Sequence, residues 1–127
     1  DMTISADRSR VLSAGRLGSA LRESCGDLTL SGIPGNLYLP ETETMLPIDA
    51  AFAAYDLFED ALELSLDTLT YFFITLPQER GVLSLHLQLE CAADLSPLSQ
   101  RYPNAVLERD EEGWFLTQPL AEGGAGV

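Results

Sequence analysis

Four leucines, Leu83, Leu85, Leu87 and Leu89, alternate without a break with Ser84, His86, Gln88 and Glu90. Successive side chains of a strand point to opposite faces, so this stretch predicts a β-strand with one apolar face and one polar face. A sheet built on such a strand needs a second layer over its apolar side. The chain supplies one: from Ile48 onward, Phe52, Tyr55, Phe58, Leu62 and Leu66 recur at helical spacing, and Pro47 suits the first turn. A second helix is expected over Ala6 to Ser24 from Val11, Ala14, Leu17 and Leu21, with Ser5 or Asp7 as cap and Cys25-Gly26 as a glycine stop.

The remaining pattern predicts mostly strands. Leu28 and Leu30, the turn chemistry of Ile33-Pro34-Gly35-Asn36, then Leu37 and Leu39 read as a β-hairpin. Pro40 to Leu46 reads as a polar connector. Leu69 to Leu76 is rich in aromatic and β-branched residues, as in a strand covered on both faces, and Gln78 to Gly81 form a tight link. A short helical turn is expected after Asp94, with Ser96 as cap and Pro97 first. Ala105 to Glu108 and Trp114 to Leu120 form two strands joined at Asp110-Glu111-Glu112-Gly113, and Glu122 to Val127 form a frayed, glycine-rich end. The order implies one α+β domain over residues 1–127: a two-layer sandwich with two main helices on one face of a mixed, mainly antiparallel sheet.

Composition narrows the chemistry. At 127 residues and 46% hydrophobic, the chain can bury one core without disulfides or metals. Cys25 and Cys91 form neither a C-x-x-C pair nor a ligand cluster and are expected as reduced, buried thiols. A net charge of -13 excludes nucleic acid and anionic membranes as natural partners. Every basic residue is an arginine, so there is no lysine to clamp a phosphate or form a Schiff base. No apolar run is long enough to span a membrane and no export signal is visible, so a cytoplasmic location is expected. Asp1 has no methionine before it, which points to a piece of a longer protein.

The one histidine, His86, falls on the polar face of its strand, and no G-x-S-x-G elbow occurs, so nucleophilic catalysis has no support. The long helix carries like-charged pairs at four-residue spacing: Asp56 with Asp60, Glu59 with Glu63, and Glu63 with Asp67. Each costs about 0.2 to 0.5 kcal/mol on an exposed helix. A solvated acidic face is the plain reading; a hard cation held by oxygens, or a partner protein with arginines, are the sharper ones. The aromatics around Phe72 and Trp114 lack a basic groove beside them and are read as core, and Gly123 to Gly126 as a flexible end.

The helix segment Phe58-Glu59-Asp60-Ala61-Leu62-Glu63, with the strands that follow, resembles the ATP-binding domain of sensor histidine kinases. In that family an N-box Glu is followed four residues later by an Asn that binds magnesium; here Glu59 stands at the Glu and Glu63 where the Asn would be. Asp94 is the nearest acidic residue to the adenine-binding D-x-G-x-G box, but Leu95 and Ser96 follow it in place of spaced glycines. The family's glycine-rich lid is reduced to a short stretch, and Val106 to Leu120 resembles its closing hairpin. The resemblance implies a degenerate, catalytically inactive module of a two-component sensor, the C-terminal part of a larger chain, with ATP and Mg²⁺ bound weakly or not at all. If they bind, Glu63 would hold the metal, Glu59 would support a water or the fold, and Asp94 would take the adenine amine. Its partners would be other domains of the parent sensor or a regulatory protein. The alternative is an acidic interaction module without nucleotide.

Overall fold

The computed structural model describes residues 11–39, 44–79 and 82–122. In chain order the elements are β1 (Val11–Ser13), α1 (Ala14–Leu30), β2 (Gly35–Tyr38), β3 (Met45–Pro47), α2 (Ile48–Ser65), β4 (Tyr71–Thr75), β5 (Gln78–Glu79), β6 (Val82–Glu90), α3 (Leu98–Arg101), β7 (Val106–Arg109) and β8 (Trp114–Glu122). The main sheet runs β2-β4-β6-β8-β7, with β5 folded back on β6, and β1 pairs with β3 as a separate small ribbon. β2 and β4 are parallel; every other pair is antiparallel. Both long helices cover one face, which gives the expected two-layer α+β sandwich with a mixed, mainly antiparallel sheet.

The leucine ladder is the centre of this sheet. Leu83, Leu85, Leu87 and Leu89 are fully buried, beside Phe72 and Ile74 of β4 and Trp114, Leu116 and Leu120 of β8. On the other face Tyr71, Phe73, Thr75, His86, Phe115 and Thr117 are only half-buried. β4 is therefore covered on one face, not on both as its composition suggested, because both long helices lie on the same side. Opposite Pro119, which has no N–H to give, the ladder between β6 and β8 slips its register at Leu83/Ser84.

Three further expectations are corrected. The first helix begins at Ala14, not Ala6, because Val11–Ser13 is drawn into pairing with Met45–Pro47 and the side chain of Ser13 caps the helix, accepting from the Arg16 N–H at 3.2 Å. The cap proposed at Ser5 or Asp7 lies outside the described residues. The helix also runs past Gly26 to Leu30, since Cys25 and Leu28 prolong the buried stripe of Ala14, Leu17 and Leu21. Its stop is Gly32, whose φ of 94° lets the Ile33 N–H return to the Leu28 carbonyl. The predicted hairpin over Leu28 to Leu39 is thus absent: its first arm is helix, and its second is β2, paired with β4 from Gly35↔Phe72 to Tyr38↔Thr75. A Cβ at residue 35 would overlap the Phe72 ring.

The polar connector expected over Pro40 to Leu46 ends in β3, whose Leu46 is buried; residues 40–43 lie outside the described set. The tight link expected at Gln78 to Gly81 opens with β5, with residues 80 and 81 likewise outside. The frayed tail also lies outside from residue 123 onward, while Glu122 still belongs to β8.

The second helix is rotated relative to the predicted stripe. Its buried side is Ala51, Ala54, Leu57, Phe58, Ala61 and Ser65, so Leu57 and Phe58 supply the bulk, flanked by small residues. Phe52 and Leu66, assigned to the core by periodicity, are 57% and 47% exposed.

Candidate functional site

The groove between α2 and α3 holds the ion pair of Arg101 with Asp60 and a second carboxylate, Glu63. Asp60 projects from α2 beside the short helix α3, which Leu98 anchors in the core. One Asp60 oxygen, Oδ2, accepts from Arg101 Nη1 at 2.8 Å and from the Tyr102 hydroxyl at 2.5 Å. The Asp60 side chain is 25% exposed and that of Arg101 67%. Burial raises the Asp60 carboxyl, but the bonds from Tyr102 and Arg101 outweigh it and hold the group below the usual carboxylate range. Burial and the adjoining carboxylate push the Tyr102 phenol upward. Arg101 stays charged, stabilised by Asp60.

Beside this clasp lies a groove of about 270 Å³ lined by Asp60, Glu63, Leu64, Pro97, Leu98 and Arg101. Of the three acidic residues singled out from sequence, it contains Glu63. Glu59 turns toward α1 and accepts from Ser24 Oγ at 3.4 Å, with Tyr55 bonding the same serine. Asp94 is exposed on the turn before α3, where its carboxylate accepts from the Ser96 N–H at 3.0 Å; that bond and the field of Arg109 lower its pKa. Trp114 Nε1 donates to the Ala93 carbonyl at 2.9 Å and fixes the start of this turn. Glu59 and Glu63 are thus one turn apart on α2 but face different neighbours, and Asp94 stands apart on the turn before α3.

Asp60, Arg101 and Tyr102 escaped sequence reading. Asp60 carried a signal, its four-residue spacing from Asp56, but its partners lie 41 and 42 residues away and nothing local ties them together.

The donor set does not suit a magnesium nucleotide. Among the described residues no three His, Cys, Asp or Glu side chains converge as a ligand group. Phosphates entering the groove would meet Glu63, and the one basic residue lining it is already neutralised by Asp60.

Other candidate chemistry is sparse. His86 stacks against Phe115 on the uncovered sheet face, ring centroids 6.4 Å apart, beside a shallow hollow with Thr75, Ser84 and Thr117. Cys25 and Cys91 are free and buried, as expected, and burial pushes the Cys25 thiol up to about 11, away from the reactive thiolate. No described helix is long and apolar enough to cross a membrane.

No protein-family model matches the sequence, and no curated protein matches it. Among solved structures, the chain is similar to the ATP-binding domain of PrrB from Mycobacterium tuberculosis, with a TM-score of 0.56 and 12% identity. The match spans 88% of this chain and 96% of that one. At this identity the likeness is one of fold, and this chain has the α+β fold of a histidine-kinase ATP-binding domain.

Proposed function

We propose that the chain is a degenerate ATP-binding domain of a two-component sensor, serving as a signalling module in which nucleotide binding is weak or lost. The observation that carries this reading is the clasp of Arg101 and Tyr102 on Asp60. It neutralises the one cation in the groove and leaves Glu63 as a bare carboxylate, an environment that repels a polyphosphate. The fold it shares with PrrB's ATP-binding domain supports the ancestry; the acidic groove supports the loss. The roles that the resemblance gives Glu63 and Asp94, holding the metal and the adenine amine, are the ones this reading takes to be weakened or lost. In this reading the module works in the cytoplasm and its partners are other domains of a parent sensor or a regulatory protein.

Calorimetric titration of ATP with magnesium is the test, with Glu63→Ala as control. Absent heat, or heat at millimolar nucleotide alone, is the expected result. A dissociation constant tighter than about 100 μM that vanishes in Glu63→Ala would overturn the reading.

A further inference from the structure

The outward face of α2, with the turn at Leu66 and Asp67 that continues it, carries two features that core packing does not use. Exposed carboxylates, Asp56, Glu63 and Asp67, follow one another along it, and none forms an ion pair among the described residues. Beside them Phe52 and Leu66 stand 57% and 47% exposed, although burying either would be favourable. Phe52, Glu59 and Leu66 form one column at seven-residue steps, and Asp56 and Glu63 lie beside it at the same step. Residues seven apart drift by only about 20° per heptad around a straight helix, so each column stays on one side and can face a single partner helix.

We infer that this face docks a basic amphipathic helix of a partner protein, one with arginine or lysine at seven-residue steps and two apolar anchors about two heptads apart. Charge complementarity chooses the occupant. Like charges on the face are relieved by cations at the matching rise, about 10 Å per seven residues. Arg101, which lines the groove with Glu63, is already engaged by Asp60. A second copy of this chain would set acidic columns against each other, and the net charge of -13 repels nucleic acid and anionic lipid alike. Phe52 and Leu66, about 21 Å apart along the helix, supply the apolar contacts that exposed ion pairs need to hold a complex. This inference deepens the signalling-module reading, rests on it, and gives it a partner.

The probe is a synthetic helical peptide with arginines at seven-residue steps and two leucines fourteen residues apart, titrated against the full chain by fluorescence anisotropy without nucleotide. A scrambled peptide of equal composition is the control. Expected are saturable, salt-sensitive binding of the patterned peptide and at least tenfold weaker binding of the scrambled one. Phe52→Ala and the double variant Asp56→Lys/Glu63→Lys should each weaken it by about fivefold or more, with circular dichroism unchanged, as these side chains are exposed. No binding, equal binding of the scrambled peptide, or indifference to Phe52→Ala overturns the proposal. Peptide failure together with absent ATP heat removes this face and leaves the module reading standing; tight ATP binding with the peptide still bound does the reverse.

Discussion

Asp60 and Tyr102, 42 residues apart in sequence, are joined across the α2–α3 groove by a 2.5 Å hydrogen bond from the phenol to the carboxylate. The same oxygen receives Arg101, so one acid fastens the end of α3 to the long helix. A hydrogen bond to a charged, partly buried group contributes more than a neutral one. Tyr102→Phe is therefore expected to lose about 1 to 2 kcal/mol in urea unfolding. Arg101→Ala should lose less, because its guanidinium is largely in solvent.

The clasp also sets a pH dependence. The folded Asp60 carboxyl lies below its unfolded value, so its contribution is fully present above about pH 4 and is lost as pH falls through the lower, folded value. Comparing urea midpoints from pH 7 downward in the parent chain and in Asp60→Asn checks this. The gap between the two should narrow in acid; a constant gap refutes the assignment.

Gln118 is buried on β8 and its Oε1 has no hydrogen-bond partner, while its Nε2 makes only a long bond to the Pro119 carbonyl. An unsatisfied buried acceptor costs about 1 to 3 kcal/mol. Gln118→Leu keeps much of the volume and should stabilise by about 1 kcal/mol, read as a rise in Tm of about 3 to 5 °C. Gln118→Glu would bury a charge and should lower Tm sharply.

Gly113 is required by a close approach of backbones. A Cβ there would collide with the Leu89 carbonyl oxygen and the Glu90 Cα, neither of which can swing aside as a side-chain end would. Asp110 meanwhile accepts from the Glu112 and Gly113 N–H groups and shapes the turn. Gly113→Ala should destabilise by about 3 kcal/mol in chemical denaturation, and a loss under 1 kcal/mol would show that the β7–β8 turn yields.

Much of the frame was legible in the sequence because its signals are local. The leucine alternation of β6 states which face is covered, and the Asp110–Gly113 turn announces its hairpin. What misled was composition without context. Phe52 and Leu66 keep the helical period of Phe58, yet the face turned to the sheet is that of Ala51, Ala54, Leu57, Phe58 and Ala61, and alanines give a weaker periodic signal than the exposed Phe52. Leu28 and Leu30 suggested a strand, but Leu28 completes the buried stripe of α1, and Gly32 rather than Gly26 has the left-handed geometry that ends it. Of the groove, the place of Glu63 on the helix could be read from its spacing, though not any role there; the Asp60 clasp could not, since it depends on how α3 packs back.

The parallel union of β2 with β4 has a kinetic consequence. β4, β6, β7 and β8 follow one another closely in the chain and can assemble through short loops, whereas β2 reaches β4 only after β3 and α2 have been placed between them. Closing that long loop is an entropic burden repaid by a four-residue ladder. The expected order is that β2 zips last and opens first, so amide protons of Leu37 and Tyr38 should exchange well before those of Leu85 and Leu87. The sheet has a fast edge and a slow centre, and the strand that joins last is the one that lets go first.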